Sequence, residues 1–127
     1  MKAAGPGAAA AGRQRAYRTG ILAETAAVWW LRFKGYRILA RRYRAPVGEI
    51  DVIVARGTVL AAVEVKRRGS AAAAAEAVTP PQQQRIVRAL EHFLARHPAF
   101  ANQALRFDAV LVVPWRWPRH LEDAWSP

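Results

Sequence analysis

The stretch Gly48-Glu49-Ile50-Asp51-Val52-Ile53-Val54-Ala55-Arg56-Gly57-Thr58-Val59-Leu60-Ala61-Ala62-Val63-Glu64-Val65-Lys66 decides the fold. It reads as two strands, residues 47–55 and 58–66, and the short turn at Arg56-Gly57 makes them a hairpin. Side chains alternate along a strand. Ile50, Val52 and Val54 therefore share one face of the first strand, with Glu49 and Asp51 on the other. In the second strand Val59, Ala61, Val63 and Val65 oppose Glu64 and Lys66. With these faces aligned, Asp51, Glu64 and Lys66 converge at one sheet position.

Outward from the hairpin, residues 36–44 alternate apolar and basic side chains as a further strand. Residues 19–34 have helical spacing, with Leu22, Ala26, Trp29, Trp30 and Phe33 on one side. Gly35 supplies a left-handed stop. Trp29 and Trp30 read as core or interface residues. On the other side of the hairpin, the Ala-rich residues 69–78 read as a flexible loop or one helical turn. Thr79-Pro80-Pro81-Gln82 is a helix start, with Thr79 as N-cap, Pro80 in the first helical position and Gln82 completing a capping box. That helix reaches Arg96 and turns Ile86, Leu90, Phe93 and Leu94 inward. Residues 105–113 form a final buried strand before a Trp/Pro-rich tail. Residues 1–18 are expected as a flexible Gly/Ala/Arg-rich leader and 19–127 as one domain, in the order α-β-β-β-α-β.

A chain of 127 residues sustains one core and not two. With no cysteine it has no disulfide framework, thiolate metal site or cysteine nucleophile; this fits the cytoplasm, the expected location. No run approaches the ~20 apolar residues of a membrane span, and no membrane partner is expected. A formal charge of +11 attracts polyanions, with nucleic acid first among them and acidic membrane surfaces second.

Of nine carboxylates, Glu49, Asp51 and Glu64 fall close together inside apolar runs. Phosphodiester cleavage calls for such a group. Two carboxylates hold Mg²⁺ or Mn²⁺, the metal acidifies a bound water, and an amine orients or deprotonates that water. Among 20 basic residues only Lys2, Lys34 and Lys66 are lysines. Unlike arginine, a lysine in a desolvated site can be tuned to move a proton. The plain alternative is a cross-strand ion pair, which the same residues would also form.

Arg41, Arg42 and Arg44, with Arg67 and Arg68, read as a phosphate-binding rim, against the alternative of a solvated strand edge. Trp115, Trp117 and Trp125 either stack on unpaired bases or dock on the core, and docking is expected for Trp125. His92, His97 and His120 lack metal-ligand spacing and read as surface residues. Arg106 and Asp108 read as a structural ion pair. With Ser70 and Ser126 the only serines, a Ser-His-Asp hydrolase is not expected.

Six ordered motifs carry a resemblance: Gly20-x-x-Ala23-Glu24, Gly35-Tyr36-Arg37-Ile38-Leu39, Gly48-Glu49-Ile50-Asp51-Val52-Ile53, Val63-Glu64-Val65-Lys66-x-Arg68, Val78-Thr79-Pro80 and Arg106-Phe107-Asp108. Over roughly residues 18–125 the chain resembles the YraN family. That family is similar to Holliday-junction resolvases and to the wider restriction-endonuclease-like, PD-(D/E)xK fold. The resemblance implies an α/β fold, a restriction-endonuclease-like αβββαβ core with a mixed central sheet flanked by helices. It also implies Asp51 and Glu64 as metal ligands, Lys66 as catalytic lysine and Glu24 as an additional acidic site residue. At Ala62, Arg67, Gln82 and Ala73 the chain departs from the usual pattern, which bears on substrate contacts more than on the Asp-Glu-Lys core.

The leading expectation is thus a Mg²⁺- or Mn²⁺-dependent nuclease acting on DNA, with branched or single-stranded DNA among its substrates, as a monomer or weak homodimer. The alternatives are a non-catalytic nucleic-acid-binding module of the same fold and a protein-interaction partner.

Overall fold

In the computed structural model, residues 6–127 are described, with side chains from Gly20 onward except Ala71. Helix α1 (Pro6–Phe33) leads into strands β1 (Arg37–Ala45), β2 (Gly48–Arg56) and β3 (Val59–Lys66). Helices α2 (Ala71–Glu76) and α3 (Pro80–Arg96) follow, then a 3₁₀ turn (Pro98–Phe100), β4 (Ala104–Leu111) and β5 (Arg119–Leu121). The five strands form one mixed sheet in chain order. β1, β2 and β3 pair antiparallel, β3 and β4 parallel, and β4 and β5 antiparallel. A parallel pair needs a crossover connection, and α2 and α3 supply it.

Each face of the sheet is covered. On one side α3 buries Ile86, Ala89, Leu90 and Phe93 against Ile50, Ile53, Leu60, Ala62 and Phe107. On the other, α1 buries Ala27, Val28 and Leu31 against Val52, Val54, Ala61, Val63 and Val110. Two glycines permit this packing. Gly35 ends α1 with φ of 92°, a conformation glycine adopts without penalty. A Cβ on Gly48 would stand 2.5 Å from the Arg85 carbonyl oxygen, so only glycine lets β2 start this close to α3.

The αβββαβ order and the restriction-endonuclease-like α/β class hold, and α2 takes the helical form of residues 69–78. Elsewhere the structure corrects the reading. Helix α1 begins at Pro6, so residues 6–18 of the expected leader are helical backbone, while residues 1–5 lie outside the described residues. Its buried face is Ala23, Ala27, Val28 and Leu31; Leu22, Trp29 and Phe33 are 69%, 63% and 83% exposed. Small side chains let the helix sit close to the sheet, and the large ones are left outside.

Ile50 packs on the α3 side, whereas Val52 and Val54 pack on the α1 side. Strict alternation therefore fails at Asp51. Thr79 makes no side-chain cap bond, so the capping box does not form; Gln83 Nε2 instead donates to the Val78 carbonyl at 3.0 Å. Leu105, near the solvent end of β4, is 45% exposed. The tail adds β5, which pairs with β4 and was not foreseen.

Candidate active site

The site begins where the sheet forks. β2 pairs with β3 from Arg56↔Val59 only as far as Val52↔Val63. β3 stays paired with β4 out to Lys66↔Leu111. Asp51 and Glu64 are the next residues beyond the last β2–β3 pair. There the Asp51 side chain takes over from the main chain, as Val65 N–H donates to its Oδ2 at 2.8 Å. A backbone amide is thereby satisfied, and the carboxylate is fixed at the fork. Opposite Asp51 on β1, Arg42 also leaves the regular ladder, with φ of 51°. For a non-glycine residue this conformation costs on the order of 1 kcal/mol or more.

Glu64 is 5% exposed, and its Oε1 has no hydrogen-bond partner. Burial pushes its carboxyl well above the usual carboxylate range. The Asp51 charge and a hydrogen bond shared with Asp51 push it further, and the Lys66 charge pulls it back. Asp51 and Lys66 both act on Glu64 and so lie near it, but at the fork where pairing stops rather than on one continuous hairpin face.

A cavity of about 330 Å³ lies alongside, lined by Gly20, Glu24, Arg42, Arg44, Glu49, Asp51, Val65 and Arg67. Asp51 is the member of the trio on its wall. Of the five expected rim arginines, Arg42, Arg44 and Arg67 line it, while Arg41 and Arg68 do not. Arg44 and Glu49 approach at 3.8 Å with both side chains largely in solvent, a pair that contributes little.

Glu24 reaches this cavity from α1 but is already engaged. Its Oε1 accepts from Arg41 Nε at 3.2 Å and its Oε2 from Arg42 Nε at 2.9 Å, with Arg41 also donating to Thr25 Oγ1 at 3.0 Å. A carboxylate this buried needs partners, and the two arginines provide them. As placed, Glu24 organises the arginine wall. The sequence places Glu24 at a helical position directed inward but gives no sign of which cations it meets.

For a divalent cation the donor set is lean. Among the described residues no group of three or more His, Cys, Asp and Glu side chains could hold a metal. Two carboxylates do fit Mg²⁺, which keeps several waters and takes phosphate oxygens as further ligands. The unpartnered, buried Glu64 Oε1 is the observation that favours this fit.

A second polar cluster surrounds Asp108, of which the sequence indicates only the Arg106 pair. Asp108 is 0% exposed and accepts from Arg106 Nε and Nη2 at 2.8 and 2.9 Å, from His120 Nε2 at 2.7 Å and from Asp123 N–H at 3.0 Å. Lys34 Nζ bonds His120 Nδ1 at 2.6 Å, and Arg106 Nη2 donates to Tyr36 Oη at 2.6 Å. Burial raises the Asp108 carboxyl, yet the hydrogen bonds from His120, Arg106 and Asp123 together hold it below the usual value. The structural Arg106–Asp108 pair is as expected. His120 is not the surface residue expected, with a side chain only 1% exposed, because β5 carries it inward. His92 and His97 bond Tyr43 Oη and the Phe93 carbonyl at 2.5 and 2.9 Å. Trp125 docks on Phe107 at 4.4 Å between ring centroids, as expected, whereas Trp115 and Trp117 remain exposed.

A mixed sheet flanked by helices, forking at an Asp–Glu pair with a lysine two residues on, defines a restriction-endonuclease-like α/β domain. Residues 23–112 match the model of the uncharacterised protein family UPF0102. The chain is 59% identical over 112 residues to a UPF0102 protein of Parvibaculum lavamentivorans, covering 88% of this chain and 84% of that one. With a UPF0102 protein of Rhodopseudomonas palustris BisB18 it shares 52% over 121 residues, covering 95% and 90%. With one from Chelativorans it shares 48% over 114 residues, covering 90% and 92%. The chain belongs to the UPF0102 family, the YraN family of the sequence motifs. No helix among the described residues is long and apolar enough to cross a membrane.

Proposed function

We propose that this protein is a metal-dependent nuclease of the cytoplasm that hydrolyses a phosphodiester bond in DNA, with branched or single-stranded DNA as candidate substrates. The observation that carries the reading is the fork at Asp51 and Glu64. A protein that buries a carboxylate normally satisfies both oxygens. Here one Glu64 oxygen has no partner, beside a second carboxylate and a lysine. Strongly perturbed acids of this kind concentrate at functional sites.

Asp51 and Glu64 are the residues that would hold Mg²⁺ or Mn²⁺. When bound, the cation supplies charge neutralisation at the phosphate and an acidified water. Lys66, two residues on from Glu64, would orient or deprotonate the attacking water or neutralise the phosphate. Arg42, Arg44 and Arg67 line the adjoining cavity, where guanidinium forks suit phosphate oxygens. Glu24 sets the direction of Arg41 and Arg42. The net charge of +11 draws nucleic acid toward such a wall.

Calorimetry with Mn²⁺ tests the reading on the wild type and on an Asp51→Ala/Glu64→Ala variant of verified fold. Saturable binding by the wild type that vanishes in the variant is the expected result. No binding by the wild type, with or without DNA, would replace the nuclease by a non-catalytic DNA-binding module. The double arginine clamp on Glu24 favours that second reading to the extent that it withholds an acid from any metal. Its signature would be salt-sensitive DNA binding that survives Asp51→Ala.

A further inference from the structure

The apolar face of α1 is not used by the proposed site. Leu22, Ala26, Trp29 and Phe33 recur at spacings of four, three and four residues, the seam of a helix that packs on another helix. They point away from the buried Ala27 and Leu31. With Trp30, Trp117 and Pro118 from the tail, Ala26, Trp29 and Phe33 line a groove of about 740 Å³. Trp30 turns toward Phe33 and Trp117, at ring separations of 6.0 and 5.8 Å. Arg32 lies over its own neighbour Trp29 at 5.3 Å. Trp30 alone is held between two rings, while Trp29, Phe33 and Trp117 keep most of their surface open.

We propose that this face is a two-fold interface between two copies of this chain, α1 against α1. Area supports a second copy. At exposures of 63%, 80%, 83% and 69%, Trp29, Trp117, Phe33 and Leu22 present on the order of 600 Å² per copy. Twice that reaches the ~1,200 Å² at which specific interfaces begin. Closure supports it too. A seam on one helix is self-complementary about a two-fold axis, so association stops at two. No charged side chain lines the groove, and Arg32, whose guanidinium lies over Trp29, is itself an exposed residue.

Charge gives the proposal a distinctive sign. Each copy carries +11, so approach is opposed by repulsion that salt screens. Dimerisation through an apolar seam therefore strengthens with salt, whereas binding to nucleic acid weakens.

The experiment is sedimentation equilibrium of the full chain over a concentration series reaching about 100 μM, where a micromolar Kd is saturated, at low and high salt. The expected result is a mass approaching twice that of the chain, more so at high salt. Phe33→Glu and Trp117→Ser, both at exposed positions, should sediment as monomers with unchanged circular dichroism. Three results would overturn the proposal: a monomeric wild type throughout, a dimer that persists in both variants, or association that weakens with salt. If the wild type is monomeric and the variants lose affinity for single-stranded DNA, the face is a base-stacking platform instead. Mn²⁺ binding, measured on the same samples, reports on Asp51 and Glu64 independently of either result.

Discussion

Glu64 and Asp108 sit on adjacent strands one register step apart, with Val63 opposite Asp108 and Glu64 opposite Ala109. Both are buried, at 5% and 0% exposure. Their ionisation nevertheless moves in opposite directions. Asp108 collects four hydrogen bonds from Arg106, His120 and the Asp123 amide, and these overcome burial. Glu64 faces another acid, leaves one oxygen without a partner, and is pushed up by burial first and by Asp51 second. Burial alone therefore does not decide what a carboxylate does; the partners do. Asp108 reads as structural because its interactions are complete. Glu64 is the acid proposed as functional, because its interactions are not.

The largest test of that contrast is removal of the satisfied acid. Asp108→Ala should cost about 3–5 kcal/mol by urea unfolding, because it leaves Arg106 and His120 without their buried partner. A loss under about 1 kcal/mol would break the comparison. The next effect belongs to the unsatisfied acid. Mn²⁺ at a hundredfold excess over its Kd should stabilise the wild type by about 2.7 kcal/mol, and Glu64→Gln should abolish that gain while leaving the apo protein folded. A metal response that persists in Glu64→Gln would place the cation elsewhere.

The pH dependence follows with opposite signs. A carboxyl raised on folding binds its proton more tightly in the native state. Stability linked to Glu64 is therefore present below the ordinary value of 4.5 and is lost as pH rises from there toward the folded value. A carboxyl lowered on folding behaves in reverse. Stability linked to Asp108 is present above 3.8 and is lost as pH falls below it. Glu64→Gln should flatten the limb above pH 4.5 of a melting-temperature profile and leave the acid limb below pH 3.8 in place. An unchanged upper limb would remove Glu64 as its cause.

Glu64 was legible in the sequence because two local rules suffice for it. A short turn fixes the partner strand, whose register brings Asp51 level with Glu64 at the end of the pairing, and Lys66 follows two residues on. Asp108 was half legible: Arg106, two residues away, gave the pair, but His120 arrives through β5, a three-residue strand whose pairing is tertiary. The face of Ile50 was missed because Asp51 and Arg42 both leave the ladder there, and alternation cannot signal its own interruption. On α1, helical spacing shows that Leu22, Ala26, Trp29 and Phe33 share a side but not which side meets the sheet; Ala27 and Leu31 do, and Trp29 and Phe33 stay exposed.

The smallest effect concerns the lysine. Lys66 is the cation whose charge pulls Glu64 down against burial and Asp51, much as Arg106 does for Asp108 at hydrogen-bond distance. Lys66→Met removes that pull and keeps the apolar stem. The Glu64 carboxyl should then rise further, so the upper limb of the stability profile extends to higher pH while the acid limb set by Asp108 stays where it is. Mn²⁺ affinity should respond in two opposed ways. A raised Glu64 carboxyl competes with the metal through its proton, which weakens binding, and a competing positive charge is gone, which strengthens it. Measuring affinity against pH separates them, because the proton term disappears at high pH and the charge term does not. If neither the upper limb nor the pH profile of metal affinity moves, Lys66 is too far from Glu64 to serve the site, and the trio reduces to a pair.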